Sequence, residues 1–228
     1  MTMQRIGGLA ALICAATYIF GFTLLVTVFA ESGFGTNDID AAGVVRFTVD
    51  NQALMITWFS VIYVLNALAL AVLVVALASR LRAKSADWAT MTMAFGLIWT
   101  TLVLAAGMIG NVTTESMAAM APKDFDSAVQ TWEVLHAVEL GLGGGNEIAG
   151  GVWILCVSLA GIMHRAFGKI VIGLGLLTGL GGLLTIFPPL GEVAGAVFGL
   201  GAIAWFIAVG LALLFKREVV LSEPVQSE

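Results

Sequence analysis

Charged residues are scarce in this sequence. Aspartate, glutamate, lysine and arginine make up 11% of the 228 residues, whereas soluble domains average about 25%. The composition therefore excludes a water-soluble globular domain. We expect no nucleic-acid partner.

Cysteine, histidine and catalytic motifs are also rare or absent. The two cysteines, Cys14 and Cys156, lie inside apolar runs, which excludes a disulfide framework and indicates small core residues. The two histidines, His136 and His164, are separated by about 42 Å of helix rise, so they cannot ligate one haem. No Gly-x-Ser-x-Gly or His-Glu-x-x-His pattern occurs. We therefore predict no cofactor and favour a function other than catalysis.

Long apolar runs are what the sequence has in abundance. Hydrophobic residues make up 60% of the chain, and its mean hydropathy is +1.02. This composition predicts an all-α integral membrane helical bundle, with one domain over residues 1–217 and a short acidic tail over 218–228. Six stretches are long enough to cross a hydrocarbon core of about 30 Å; they are residues 6–30, 53–79, 88–109, 145–163, 170–187 and 193–215.

The basic residues predict the orientation of these six spans. If the N-terminus is cytoplasmic, eight lysines and arginines lie on the cytoplasmic side, and two, Arg46 and Lys123, lie outside. We therefore predict that both termini and the acidic tail are cytoplasmic. The expected location is a bacterial inner membrane, and the expected partners are the lipid bilayer and either other membrane subunits or further copies of the chain.

The first external loop, residues 31–51, carries a helical pattern. Asn37 or Asp38 is placed to cap a short helix. We predict that the apolar face of this helix lies in the membrane interface; its residues are Ile39, Val44, Val45 and Phe47.

Ionisable side chains are concentrated in one stretch, residues 132–165. If this stretch is helical, five polar residues fall within about 140° of one helix face; they are Glu133, His136, Glu139, Asn146 and Glu147. Three consecutive glycines interrupt the stripe, and each costs about 1 kcal/mol relative to alanine in a helix; they are Gly143, Gly144 and Gly145. We therefore predict a bend or an opened backbone there.

Two further features indicate contacts between helices. Asn66 lies inside the second predicted span, where a buried amide needs a partner, so we expect a hydrogen bond to a neighbouring helix. Glycines recur at four-residue spacing in the last two spans, at Gly175 and Gly179 and at Gly195 and Gly199. This spacing lets helix backbones approach closely, so we assign these glycines, with 143–145, to helix packing.

Several motifs resemble an uncharacterised six-span bacterial membrane family that is catalogued as a domain of unknown function. The similar stretches are the Gly-Gly-Gly-Asn-Glu cluster at 143–147, the Gly-Gly-Val-Trp run at 150–153, residues 182–188, residues 198–206, and Arg46-Phe47. The resemblance implies a membrane topology. It implies no activity and no functional residue.

Our first functional hypothesis is an accessory or assembly subunit of a membrane complex. Short loops, small-residue helix faces, few charges and the lack of a catalytic motif are typical of a protein whose role is helix packing. Such a subunit should present a flat lipid-facing surface that matches a partner.

The alternative is a small-molecule, cation-linked or proton-linked transporter. It would use Glu147 and Asn146 beside the opened backbone at 143–145, because transporters place their sites at broken helices. Such a protein should show a polar cavity that reaches Glu147 from one side.

A third hypothesis is a metal site built on His136. Glu133, His136 and Glu139 repeat at three-residue spacing, and a Glu-x-x-His pair on one helix is typical of carboxylate-bridged metal centres. The sequence has no second such pair to complete a two-metal centre.

Overall fold

The computed structural model describes residues 2–34, 38–144 and 147–215. Within these ranges the chain is all-α, with no β-strand. The helices are α1 (Met3–Thr27), α2 (Ala41–Asp50), α3 (Gln52–Phe59), α4 (Asn66–Arg82), α5 (Ala86–Met120), α6 (Phe125–Glu139), α7 (Ile148–His164), α8 (Lys169–Leu184) and α9 (Gly191–Phe215). Two π-helical segments, Ser60–Leu65 and Leu140–Gly144, join α3 to α4 and follow α6.

Six helices pack as a closed ring, which we call the bundle. Going round it, α1 packs on α4, α4 on α5, α5 on α7, α7 on α8, α8 on α9, and α9 on α1. Three fully buried tryptophans lie in its core, where the rings of Trp99 and Trp153 are 5.5 Å apart and those of Trp153 and Trp205 are 5.4 Å apart. The bundle is therefore a filled core and not a pore.

Glycine allows a close approach of two helices of the bundle, α7 and α8. A Cβ at Gly151 would lie 2.8 Å from the carbonyl oxygen of Gly179 and 3.0 Å from the carbonyl carbon of Gly182. A Cβ at Gly182 would lie 2.8 Å from the carbonyl oxygen of Glu147. Because all these neighbours are backbone atoms, the two helices touch main chain to main chain.

Five helical rods are long and apolar enough to cross a membrane: Met3–Thr27, Gln52–Arg82, Ala86–Met120, Phe125–His164 and Pro188–Phe215. The sixth apolar helix, α8, has 16 residues, which gives a rise of about 24 Å. The chain is therefore all-α with apolar helices compatible with a membrane protein.

The helix that contains the predicted third span, residues 88–109, extends well beyond it. The structure continues this helix to Met120, which makes α5 35 residues long, or about 52 Å. The polar residues 111–115 end the apolar run, but the next helix breaker is Pro122, so nothing in the sequence interrupts the backbone hydrogen bonds before it.

A second hydrophobic core lies at the end of the bundle where α1 finishes. It is formed by residues 29–34, α2, α3, the last three turns of α5, and α6, and we call this part the cap. Aromatic rings hold it together, because Phe29 contacts the rings of Phe34, Phe47 and Trp58 at centroid distances of 5.8, 5.5 and 5.2 Å.

The structure corrects the sequence interpretation of α2. Its apolar face packs on α5 and α6, and Val44 and Val45 are 2% and 0% exposed. The face we expected to lie in the membrane interface is therefore covered by protein. The cap residue is Asp40, whose Oδ1 accepts a hydrogen bond of 3.0 Å from the Gly43 amide. It is not Asp38, and Asn37 lies outside the described residues.

Candidate functional site

A partly open cavity of about 150 Å³ lies where the bundle meets the cap. Its walls come from α1, the residues after α1, α3 and the π segment that follows it, the end of α6, the start of α7, and α9. Most of the wall is apolar or aromatic. The polar side chains on it are Tyr18, Tyr63, His136, Glu139 and Glu147.

The π-helical segment Ser60–Leu65 brings Tyr63 into this wall. The amide of Asn66 donates to the carbonyl of Val61, five residues back, so one turn of the rod is wider than an α-helical turn. Helix α5 accommodates the wider turn with a glycine, because a Cβ at Gly107 would lie 2.5 Å from the Cβ of Tyr63. The sequence thus supplies a small residue opposite the irregular turn.

The second irregular segment, Leu140–Gly144, lies between Glu139 and Glu147. Gly143 has φ 126° and ψ 15°, a conformation that L side chains rarely adopt. A Cβ there would meet nothing within 4 Å, so backbone conformation and not crowding requires the glycine. The predicted opening of the backbone at the glycines is confirmed at Gly143. Gly145 and Asn146 lie outside the described residues.

His136 is held in a fixed orientation beside Glu139. Its Nδ1 lies 3.0 Å from Oε2 of Glu139, and its ring stacks on Trp132 with 4.6 Å between centroids and 17° between planes. The ring of Phe34 lies 5.5 Å away on another side. The phenol of Tyr63 interacts electrostatically with the Glu139 carboxylate. Glu139, which is 4% exposed, therefore has a hydrogen-bonded partner, His136, on the cavity wall.

Glu147 is differently placed, at the residue before the first turn of α7. Its backbone amide donates a hydrogen bond of 3.1 Å to Oγ1 of Thr185 at the end of α8, which fixes the start of α7. Its carboxylate forms no hydrogen bond or salt bridge with any residue in the part of the chain that the structure describes. The carboxylate does interact electrostatically with Tyr18 and Tyr63 across the cavity.

The predicted polar cluster is therefore brought together only in part. His136, Glu139 and Glu147 share the cavity, whereas Glu133 is exposed and does not line it. Asn66 is fully buried elsewhere, and its Nδ2 donates to Oγ1 of Thr17 at 2.7 Å. The interhelical hydrogen bond predicted for Asn66 is confirmed.

Of the glycines that we predicted to pack helices together, some lie at close contacts and others do not. A Cβ at Gly175 or Gly179 would strike α7, and one at Gly199 would strike the ring of Phe22 on α1. A Cβ at Gly195 would meet nothing within 4 Å, and Gly195 lines the cavity. Close approach therefore occurs at Gly175, Gly179 and Gly199, while open space lies beside Gly195. The packing predicted for Gly144 and Gly145 falls outside the part of the chain that the structure describes.

The metal hypothesis gains no ligand set from this geometry. Within the described residues, no three histidine, cysteine, aspartate or glutamate side chains lie close enough together to hold one ion. Glu133 in particular is exposed and does not line the cavity that His136 and Glu139 line. The metal site predicted on His136 stays a prediction.

The sequence interpretation missed the aromatic wall. Tyr18, Phe22, Phe34, Trp58 and Tyr63 all line the cavity. A signal was present, because the chain contains only two tyrosines and both are in this wall. A phenol inside an apolar span needs a polar partner, so two such residues in separate spans indicate a shared polar site.

The comparisons with known proteins found nothing similar: no family model, no curated protein and no solved structure matches the chain. The resemblance to a six-span bacterial family therefore stays a prediction. Function has to be argued from the cavity itself.

Proposed function

We propose that the chain is an integral membrane protein that binds a small molecule in the cavity between bundle and cap and carries it across the membrane. Glu147 is the coupling carboxylate in this proposal. The observation that carries it is an unpaired carboxylate on the wall of a partly open cavity of about 150 Å³. Ionisable groups at membrane depth are costly, and proteins keep them there for substrate or ion pathways.

The two irregular segments on the cavity wall support transport. A broken or widened helix leaves backbone groups without helical partners, and transporters place substrate and ion sites at such breaks. Here Ser60–Leu65 faces the cavity from one rod and Leu140–Gly144 from another. A carboxylate between two such breaks is able to hold either a proton or a cationic group, which couples the movement of one to the other.

The accessory-subunit function remains the second hypothesis, as a prediction from the sequence. Exposed apolar side chains cover α8 and α9, including Ile170, Leu177, Leu180 and Leu200. Every membrane protein needs such a surface towards lipid, so it does not favour a partner subunit. A cavity does reach Glu147, as we expected of a transporter, but its wall is mostly apolar or aromatic and not polar as we expected.

We further propose six spans, with α8 as the short sixth, both termini cytoplasmic, and a bacterial inner membrane as the location. Eight basic residues on one side against two on the other support this threading. Single cysteines at Ala83 and Pro122 test it, since both positions are exposed and uncharged while the native Cys14 and Cys156 are buried. An impermeant thiol reagent should label Pro122→Cys from outside whole cells and not Ala83→Cys. The opposite result overturns the threading.

Filling the cavity tests the transport proposal directly. Gly195→Leu puts an apolar side chain into the cavity from a position whose Cβ would have no atom within 4 Å, and leucine favours the helix more than glycine does. Gly173→Leu is the matched control, because Gly173 is exposed on α8 and also has no atom within 4 Å of its Cβ position.

The measurement is a thermal-stability screen of small metabolites against the protein in lipid nanodiscs, followed by uptake of the stabilising compounds into proteoliposomes. We expect hits that stabilise the wild type and Gly173→Leu but not Gly195→Leu, and uptake that Glu147→Gln abolishes. If both glycine variants respond like the wild type and no stabilising compound is taken up, the transport proposal is wrong. A membrane partner that co-purifies with all three proteins would then favour the accessory subunit.

A further inference from the structure

The ionisable side chains on the cavity wall are mostly acidic. Its wall holds the carboxylates of Glu139 and Glu147 and the imidazole of His136, and none of the described residues that line it is a lysine or arginine. Even with His136 protonated, the formal charge of the ionised wall is negative. Such a site repels anions and attracts cations, and the effect is strengthened by low-dielectric surroundings.

The carboxylate of Glu139 already has a partner within the protein. Oε2 of Glu139 lies 3.0 Å from Nδ1 of His136. Glu147 has no such partner among the described side chains, so its oxygens remain available to accept hydrogen bonds from a ligand. The site thus has one open acceptor position, a carboxyl group, which carries a negative charge when it is ionised.

The rest of the wall presents ring faces and edges. The indole N–H of Trp58 donates to the carbonyl of Gly21 at 3.3 Å, so this donor is already used and the ring itself faces the cavity. Phe34 packs edge-on against Trp58 at 5.4 Å, and Tyr18 lies 6.3 Å from Phe22. Aromatic faces attract ammonium groups through their quadrupole and also bury apolar surface.

The size of the cavity limits the ligand. A cavity of about 150 Å³ matches the volume of an engineered protein cavity of about 150 Å³ that binds benzene. A single ring or a short branched chain with one polar head therefore fits, whereas a nucleotide or a peptide does not.

We propose that this cavity binds a small organic monocation, a protonated amine on an apolar body of about one ring, with the ammonium on Glu147 and the body against Trp58 and its neighbouring rings. The proposal rests on the proposed function only in taking the cavity as the ligand site. It names the class of substrate that the site selects.

Three probes of nearly equal shape test the charge requirement: benzylammonium, benzyl alcohol and benzoate. Their binding is measured by isothermal titration calorimetry on the full chain in lipid nanodiscs at neutral pH. We expect benzylammonium to bind at least about tenfold more tightly than benzyl alcohol, because a hydrogen bond to a charged group exceeds the 1.4 kcal/mol that corresponds to about tenfold. Benzoate should not bind.

Two variants assign the selectivity to Glu147. Glu147→Gln should remove the preference for benzylammonium and leave the affinity for benzyl alcohol unchanged. Glu133→Gln, which neutralises an exposed carboxylate on α6 outside the cavity, should leave both affinities unchanged.

The outcomes separate this inference from the transport proposal. If benzyl alcohol or benzoate binds as tightly as benzylammonium, and Gly195→Leu blocks that binding, the cavity remains a ligand site but the cation class is wrong. If benzylammonium binds equally to the wild type, Glu147→Gln and Gly195→Leu, binding lies elsewhere and the inference is overturned. If none of the three probes binds the wild type, the inference is overturned as well, and the metabolite screen decides the transport proposal.

Discussion

In the bundle, neighbouring helices approach each other at glycines around a core that also holds three tryptophan rings, whereas the cap is held by a cluster of large rings. Helices α1 and α9 meet where a Cβ at Gly8 would lie 3.0 Å from the carbonyl oxygen of Gly210, and a Cβ at Gly210 would lie 3.0 Å from that of Gly8. In the cap, by contrast, Phe29, Phe34 and Trp58 form mutual edge or tilted contacts at 5.2 to 5.8 Å.

Two different kinds of contact thus stabilise the two regions. Lipid chains are as apolar as leucine, so helices in a membrane gain little from burying leucine and associate through close backbone approach, which is the contact that the glycines of the bundle allow. The cap is stabilised by buried aromatic surface. The cavity lies between these two kinds of core, where neither fills the space.

The largest effect is expected from breaking a glycine contact of the bundle. Gly151→Leu would drive a side chain into backbone atoms of α8, which cannot rotate away as a side chain could. We expect a loss of more than about 3 kcal/mol, above the usual range for overpacking, and aggregation in mild detergent. Size-exclusion chromatography and thermal denaturation check this. Gly173→Leu should remain monodisperse, and a monodisperse Gly151→Leu protein of wild-type stability would show that backbone contact does not hold α7 on α8.

A large but local effect is expected in the cap. Trp58→Ala removes the ring at the centre of the aromatic cluster and its hydrogen bond to Gly21, at a cost of about 3 kcal/mol. Hydrogen exchange should rise in α2 and α6, which depend on that core, while α8 and α9 keep their protection. Uniformly faster exchange over all helices would mean that cap and bundle unfold as one unit.

An intermediate effect tests the polar contact inside the bundle. Asn66→Ala, Thr17→Ala and the double variant form a cycle that isolates the 2.7 Å hydrogen bond between these side chains. We expect a coupling of about 1 kcal/mol, the usual size for such a bond in a membrane, from denaturation in detergent. No coupling, or a more stable single variant, would show that the contact does not stabilise the bundle.

The smallest effect is expected at the cap residue of α6. Asp124 accepts hydrogen bonds from the hydroxyl and the amide of Ser127 at 2.7 and 3.1 Å, and these hold the pKa of its carboxyl below the usual value. A depressed pKa means that the stabilisation is present at neutral pH and is lost as the pH falls below about 4. The protection of the Ser127 amide, measured as its exchange rate relative to an unstructured amide at the same pH, should therefore fall on acidification in the wild type. In Asp124→Ala this protection should already be low at neutral pH, and equal protection in both proteins at pH 7 would contradict this prediction.

The helices of the bundle could be predicted from the sequence because each is apolar on all sides and ends near charged or turn residues. The cap could not be predicted in the same way. The apolar face of α2 has the same pattern whether it meets lipid or protein, and only the tertiary structure shows that Val44 and Val45 are covered by α5 and α6. Helix α5 continues past the end of its apolar run, because no glycine or proline lies between Gly110 and Pro122 to stop it.

The candidate site could be predicted for residues that are neighbours on one helix. His136 and Glu139 are three residues apart, so their contact follows from helix geometry. Glu133 has the same spacing on the other side of His136 but is exposed. The sequence prediction assumed that the polar stripe faces one surface over its whole length, and this assumption fails at Glu133. The approach of Glu147 to Tyr18 and Tyr63 depends on the fold of three separate rods, and no local pattern specifies it.

The widened turn at Ser60–Leu65 also determines the direction around the helix axis of every later side chain in the rod Gln52–Arg82. A turn that takes one extra residue rotates all later side chains by about 100° relative to an uninterrupted α-helix. Asn66 faces Thr17, and Leu70, Leu73 and Leu77 face the bundle core, only because that rotation has occurred. A chain shortened by one residue in this turn would regain a regular helix and would direct a different row of α4 at the core. The same irregular turn thus brings the phenol of Tyr63 to the cavity and directs the apolar side chains of α4 at the bundle core.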